Sequence, residues 1–106
     1  MLAAVMSAGA YDYSERDAAS YTRDAQTQIR RAEGYRRDAQ SYLRRAESYR
    51  RDADYYRRRN EDRRAADLDR KAAQALDTYN DKKREAARAY DRASDLLRRA
   101  ADALRR

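Results

Sequence analysis

Alanine recurs every seven residues from Ala18 through Ala25, Ala32, Ala39, Ala46 and Ala53, six positions in unbroken register. Three residues after each stands Tyr21, Gln28, Tyr35, Tyr42, Tyr49 or Tyr56. With alanine at heptad position a and tyrosine at d, position f is arginine seven times running, from Arg16 through Arg58. A period of seven with its polar residues opposite the seam predicts one long helix that packs along the a/d stripe. The underlying unit is fourteen residues, two heptads, and three tandem copies fill residues 16–57: RDAASYTRDAQTQI, RRAEGYRRDAQSYL and RRAESYRRDADYYR. The second and third agree at ten of fourteen places. A repeated face of this kind is the mark of helix-on-helix packing rather than of an irregular set of catalytic groups.

The register breaks after Ala53. The next series, Ala65, Ala72, Tyr79, Ala86, Ala93 and Ala100, begins twelve residues on, five more than one heptad. Insertions of three or four residues are absorbed by a continuous coiled coil, whereas five is absorbed poorly. The break falls in RRRNEDRR, residues 57–64, where Asn60 suits a left-handed C-terminal position or a cap of the next helix. The pattern therefore predicts an all-α chain, a long antiparallel αα-hairpin with coiled-coil-like Ala/Tyr packing, assembled into a larger oligomer. Its expected parts are an apolar N-terminal segment (1–11), helix one (12–59), a turn (60–62) and helix two (63–106). Helix two promises a broader stripe: Leu68, Ala89 and Leu96 at d, Leu76, Tyr90, Leu97 and Leu104 at e, with Ala66, Ala73, Ala87 and Ala101 at b. Lys82 and Lys83 interrupt it, consistent with an exposed gap or an acidic partner.

Composition sharpens this picture. Proline is absent and only Gly9 and Gly34 occur, which favours helix throughout. More than half of the 42% apolar residues are alanine; Phe and Trp are absent and there are seven leucines. Such a core buries little carbon against an ordering cost of roughly 1.5 kcal/mol per residue, so association is expected on energetic grounds. The apolar face of helix two and the uncharged start MLAAVMSAGA are the surfaces expected to be covered by other subunits. That start also ends like a secretory signal but lacks a basic region before it. Disorder of the isolated chain competes, given 42% charged residues and a mean hydropathy of −1.35, but the heptad is too regular for a solvated tail.

Charge and chemistry narrow the function. The net charge of +7 is spread along the chain, with acidic residues close to many arginines, so the surface is a polyampholyte and not a basic arm. The densest basic patch is Arg57, Arg58, Arg59, Arg63 and Arg64, a candidate anion contact diluted by Glu61 and Asp62. Histidine and cysteine are absent, and no glycine-rich loop or nucleophile motif occurs. No catalytic residue, metal or cofactor is therefore expected, and the chain is not expected to be an enzyme. No apolar run approaches the ~20 residues of a membrane span. The expected partner is the chain itself, through the a/d positions above and the leucines of helix two. The expected role is a structural subunit of a filament, tube or sheath. A nucleic-acid coat of the same fold, a discrete scaffold oligomer, and contact with an anionic membrane surface are the weaker readings. A cytoplasmic location is the default, an extracellular or envelope filament the alternative.

Overall fold

The structure is a computed structural model that describes the backbone of residues 2–105 and the side chains of residues 14–105. It contains two helices, α1 (Leu2–Arg58) and α2 (Asp62–Arg105), and no strand among the described residues. Segment 1–11, expected to stand apart from the first helix, is instead continuous with it from Leu2. Its four alanines, Leu2 and two methionines favour helix, and the repeat that marked the seam says nothing about where helicity begins. The expectation that neighbouring subunits bury Met1–Ala10 falls outside the described side chains.

The turn is Arg59, Asn60 and Glu61, one residue earlier than expected, because Asp62 already opens α2. Its hydrogen bonds form a Schellman motif. Glu61 N–H donates to Tyr56 C=O at 2.9 Å, and Asn60 N–H donates to Arg57 C=O at 3.1 Å. This geometry demands a left-handed residue just past the helix end, and Asn60 supplies it with φ of 60°. Asparagine tolerates that region better than other side chains do, which explains its presence in an arginine-rich stretch. Glu61 then serves as the first residue of the new helix's hydrogen-bond ladder, its carbonyl accepting from Ala65 N–H at 3.1 Å.

The chain divides into two compact units. Unit 2 is Glu33–Ala86 and holds the turn; unit 1 is Met1–Ala32 with Ala87–Arg106. In unit 2 the two helices run antiparallel. Lys82 Nζ lies 5.6 Å from the centre of the Tyr35 ring, Arg57 Nη2 is 2.6 Å from Asp69 Oδ2, and the Arg64 guanidinium stands 5.4 Å over Tyr56. In unit 1 Ala18 clusters with Ala100, Ala103 and Tyr21, while Gln28 shares a groove with Arg92, Leu96 and Arg99. Ala18 (a) packs with Ala103 (d) in unit 1, and extending that pairing by heptads sets position a of α1 against d of α2 and d of α1 against a of α2.

Candidate functional site

That register sorts the seam into layers. By heptad count, the a positions Ala39, Ala46 and Ala53 of unit 2 pair with Lys82, Ala75 and Leu68 of α2. In unit 1 Ala18, Ala25 and Ala32 stand opposite Ala103, Leu96 and Ala89. All six a-position alanines are buried, as are Ala65, Ala72, Ala86, Ala93 and Ala100 on the facing helix. The d residues Tyr21, Gln28, Tyr35, Tyr42, Tyr49 and Tyr56 are half-buried. Four of these tyrosines face alanine (Tyr21–Ala100, Tyr35–Ala86, Tyr49–Ala72, Tyr56–Ala65), small against large, which lets the backbones come close without voids. Ala75 and Ala103 belong to the core as fully as any residue singled out in the sequence. Counting heptads from Leu68 would have found them: large Leu68, Lys82 and Leu96 alternate with small Ala75, Ala89 and Ala103 every fourteen residues. Helix two thus carries the same two-heptad period as the repeats of helix one, hidden by its different outer residues.

The broad stripe expected of helix two does not enter the hairpin core. Ala66, Ala73, Ala87 and Ala101 are exposed, and so are Leu97 (46%) and Leu104 (61%). Leu68, Leu76, Tyr90 and Leu96 are half-buried. The reason is geometric: a two-helix seam has room for the a and d positions only, and the stripe at e and b points to the side.

The tyrosines find cations within their own unit. The Arg45 guanidinium lies 4.8 Å over Tyr42, Arg59 lies 5.3 Å over Tyr55, and Lys83 lies 5.1 Å from Tyr79. Each such contact contributes about 0.5–1 kcal/mol at an exposed site. The Lys82 gap in the stripe is filled in the same way, by reaching the face of Tyr35. Gln28 is the odd member of the d series. Its Oε1 is buried with no hydrogen-bond partner.

The arginines at the turn are drawn into local contacts. Arg57 bonds Asp54 at 2.7 Å and Asp69 at 2.6 Å, Arg64 lies 3.8 Å from Glu61, and Arg59 donates to the Tyr55 hydroxyl. Arg58 and Arg63 are exposed on the same segment. Pairing of this kind lowers the local positive field that a phosphate would meet.

The two units differ at positions e and b, the side of the seam that faces outward. In unit 2 these positions on α1 hold Glu33, Arg36, Glu47, Arg50, Asp54 and Arg57, interrupted by Gln40 and Leu43. The ion pair of Arg57 with Asp69 crosses between helices there. In unit 1, past Glu15 at the open end, α1 presents Ala19, Thr22, Gln26 and Ile29 at the same positions, and α2 presents Ala87, Tyr90, Ser94, Leu97, Ala101 and Leu104. None of the ten is charged, in a chain where 42% of residues are. The Thr22 hydroxyl donates to Ala18 C=O at 2.8 Å, so its polar group is satisfied within its own helix.

Comparison with protein-family models finds none that matches, and comparison with characterised proteins and with solved structures finds no match either. No group of three or more His, Cys, Asp or Glu among the described residues is placed to hold a metal ion. None of the helices is long and apolar enough to cross a membrane, within the described residues.

Proposed function

We propose that this chain is a self-assembling structural subunit whose hairpins associate into a filament, tube or sheath. The observation that carries this reading is the core. Among the described residues every buried apolar side chain is alanine, and no large side chain is fully buried. A buried methyl contributes about 0.8 kcal/mol, against about 1.5–3 kcal/mol for a buried leucine. A hairpin whose fully buried core is alanine alone is weakly held, while Leu97 and Leu104 remain at the surface. Association that covers them supplies the missing burial, and repetition of one face along the chain suits an extended array. The a/d positions close the hairpin, so contacts between subunits fall to the residues outside the seam.

The nucleic-acid reading draws its support from the turn, and there Arg57, Arg59 and Arg64 are already engaged with Asp54, Asp69, Tyr55 and Glu61. The test is sedimentation velocity across a micromolar to millimolar range, with negative-stain microscopy of nuclease-treated protein. Concentration-dependent particles with a protein-only absorbance ratio are expected. A monodisperse folded monomer at every concentration would sink the proposal. Particles that contain nucleic acid and fall apart with nuclease would replace it by the coat reading.

A further inference from the structure

The self-association proposed above does not say which surface meets which, and unit 1 offers an answer. We propose that its charge-free face docks on the same face of a second copy, with the two-fold axis parallel to the helices. The contact is then a four-helix arrangement in which α1 of each copy lies alongside α2 of the other, antiparallel.

Three observations lead to this. The first is the face itself. Ile29, Tyr90, Leu97 and Leu104 lie along it with small or uncharged neighbours, and Leu97 and Leu104 are 46% and 61% exposed. Depletion of charge with retention of aromatic and aliphatic groups is the composition of an interface centre. The equivalent positions of unit 2 carry both signs of charge, so the feature is confined to one unit.

The second is the charge at the rim. On the α1 side the face is bounded by Arg16, Arg23 and Arg30. On the α2 side Asp91 stands with Arg98 and Arg105, which are bonded to Asp95 at 3.0 Å and Asp102 at 3.4 Å. With Arg88 beside them, the α2 rim carries three arginines and three aspartates and is balanced, while the α1 rim is basic. An axis parallel to the helices sets the basic rim of each copy beside the balanced rim of the other, where Asp91, Asp95 and Asp102 stand among the arginines. An axis perpendicular to them would set arginine row against arginine row, which repels. The charges choose the first.

The third is area. Residues 87–104 of α2 span about 27 Å, and two adjoining helices are about 20 Å across. The face offers roughly 500 Å² per partner, below the ~800 Å² of a stable interface. Its docking is therefore concentration-dependent, and being two-fold it closes a pair of hairpins that further contacts elsewhere would join into a larger array.

Because this rests on self-association, the experiment separates the two claims. The variant Leu97→Arg/Leu104→Arg places charge at two exposed sites and leaves the seam untouched; Ala73→Arg, an exposed b position in unit 2, is its control. In sedimentation velocity the double variant is expected to remain monomeric, with unchanged helicity, at concentrations where wild type and Ala73→Arg associate. If the double variant associates as wild type does, this face is not the contact, while self-assembly stands. If wild type itself never associates, both fail. The chain has no cysteine, so introduced thiols report the axis. Oxidising a mixture of Gln26→Cys and Ser94→Cys chains is expected to give the mixed disulfide in excess. A predominance of Gln26→Cys homodimers would overturn the parallel axis.

Discussion

Unit 1 and unit 2 repeat one seam pattern and one row of f-position arginines on α1, and differ at positions e and b. Both pair the a positions of α1 with the d positions of α2, and both place an alanine–alanine layer at two-heptad intervals: Ala46–Ala75 in unit 2, Ala32–Ala89 and Ala18–Ala103 in unit 1. At positions e and b, unit 2 is laced with charge and tied across the helices by Arg57 and Asp69. Unit 1 has none there from Ala19 to Ile29 of α1 and from Ala87 to Leu104 of α2, Glu15 at the open end being its charged e position. The seam is what brings the helices together, so it tolerates little change along its length. The outward positions carry no such constraint, and their divergence separates a solvated part of the hairpin from a part fitted for contact.

The comparison is most exposed to failure at the seam. Replacing Ala46 in unit 2, or Ala32 in unit 1, by leucine forces bulk into an alanine–alanine layer and should cost about 1–3 kcal/mol at either site. Urea melts followed by circular dichroism should show similar losses; indifference in one unit would mean that the seam is not shared. The turn belongs to unit 2 alone. Asn60→Val places a β-branched residue in the left-handed region at a cost of about 1–2 kcal/mol, whereas Asn60→Gly should keep full stability. Hydrogen exchange should show protection lost in unit 2 first, and uniform loss would argue that the units are not separable.

A smaller effect is expected at Gln28, where unit 1 carries a buried acceptor without a partner. Gln28→Leu removes that acceptor and should stabilise by about 1 kcal/mol, read as a raised melting temperature. No such gain is expected from Tyr35→Leu at the matching position of unit 2, since it removes the ring that Lys82 covers. The smallest effect is at the cross-helix ion pair. Arg57 and Asp69 are about half exposed, so Asp69→Asn should cost no more than about 0.5 kcal/mol. The loss should shrink further in high salt.

How much of this was legible in the chain follows from what periodicity encodes. Heptad spacing states which residues share a stripe on one helix, so the burial of Ala18 through Ala53 and the position of the break near Asn60 could be read directly. Spacing also suggested that Leu97, Leu104 and the b-position alanines were part of one apolar stripe with the core. It had no means of saying where that stripe leaves the seam, because this depends on how a second helix sits against the first.

The sequence by itself determined an all-helical chain, the a/d stripe and the break near Asn60, since each is set by local propensity and a repeat along one chain. Only the tertiary structure decided which layer meets which. A tight turn makes the two helices of unit 2 antiparallel, and the heptads then pair Tyr49 with Ala72 and Ala46 with Ala75. The same pairing lays Ile29 of one helix and Leu97 of the other on a common face. Faces made from two helices exist only after the register is chosen, and no pattern within either helix contains them.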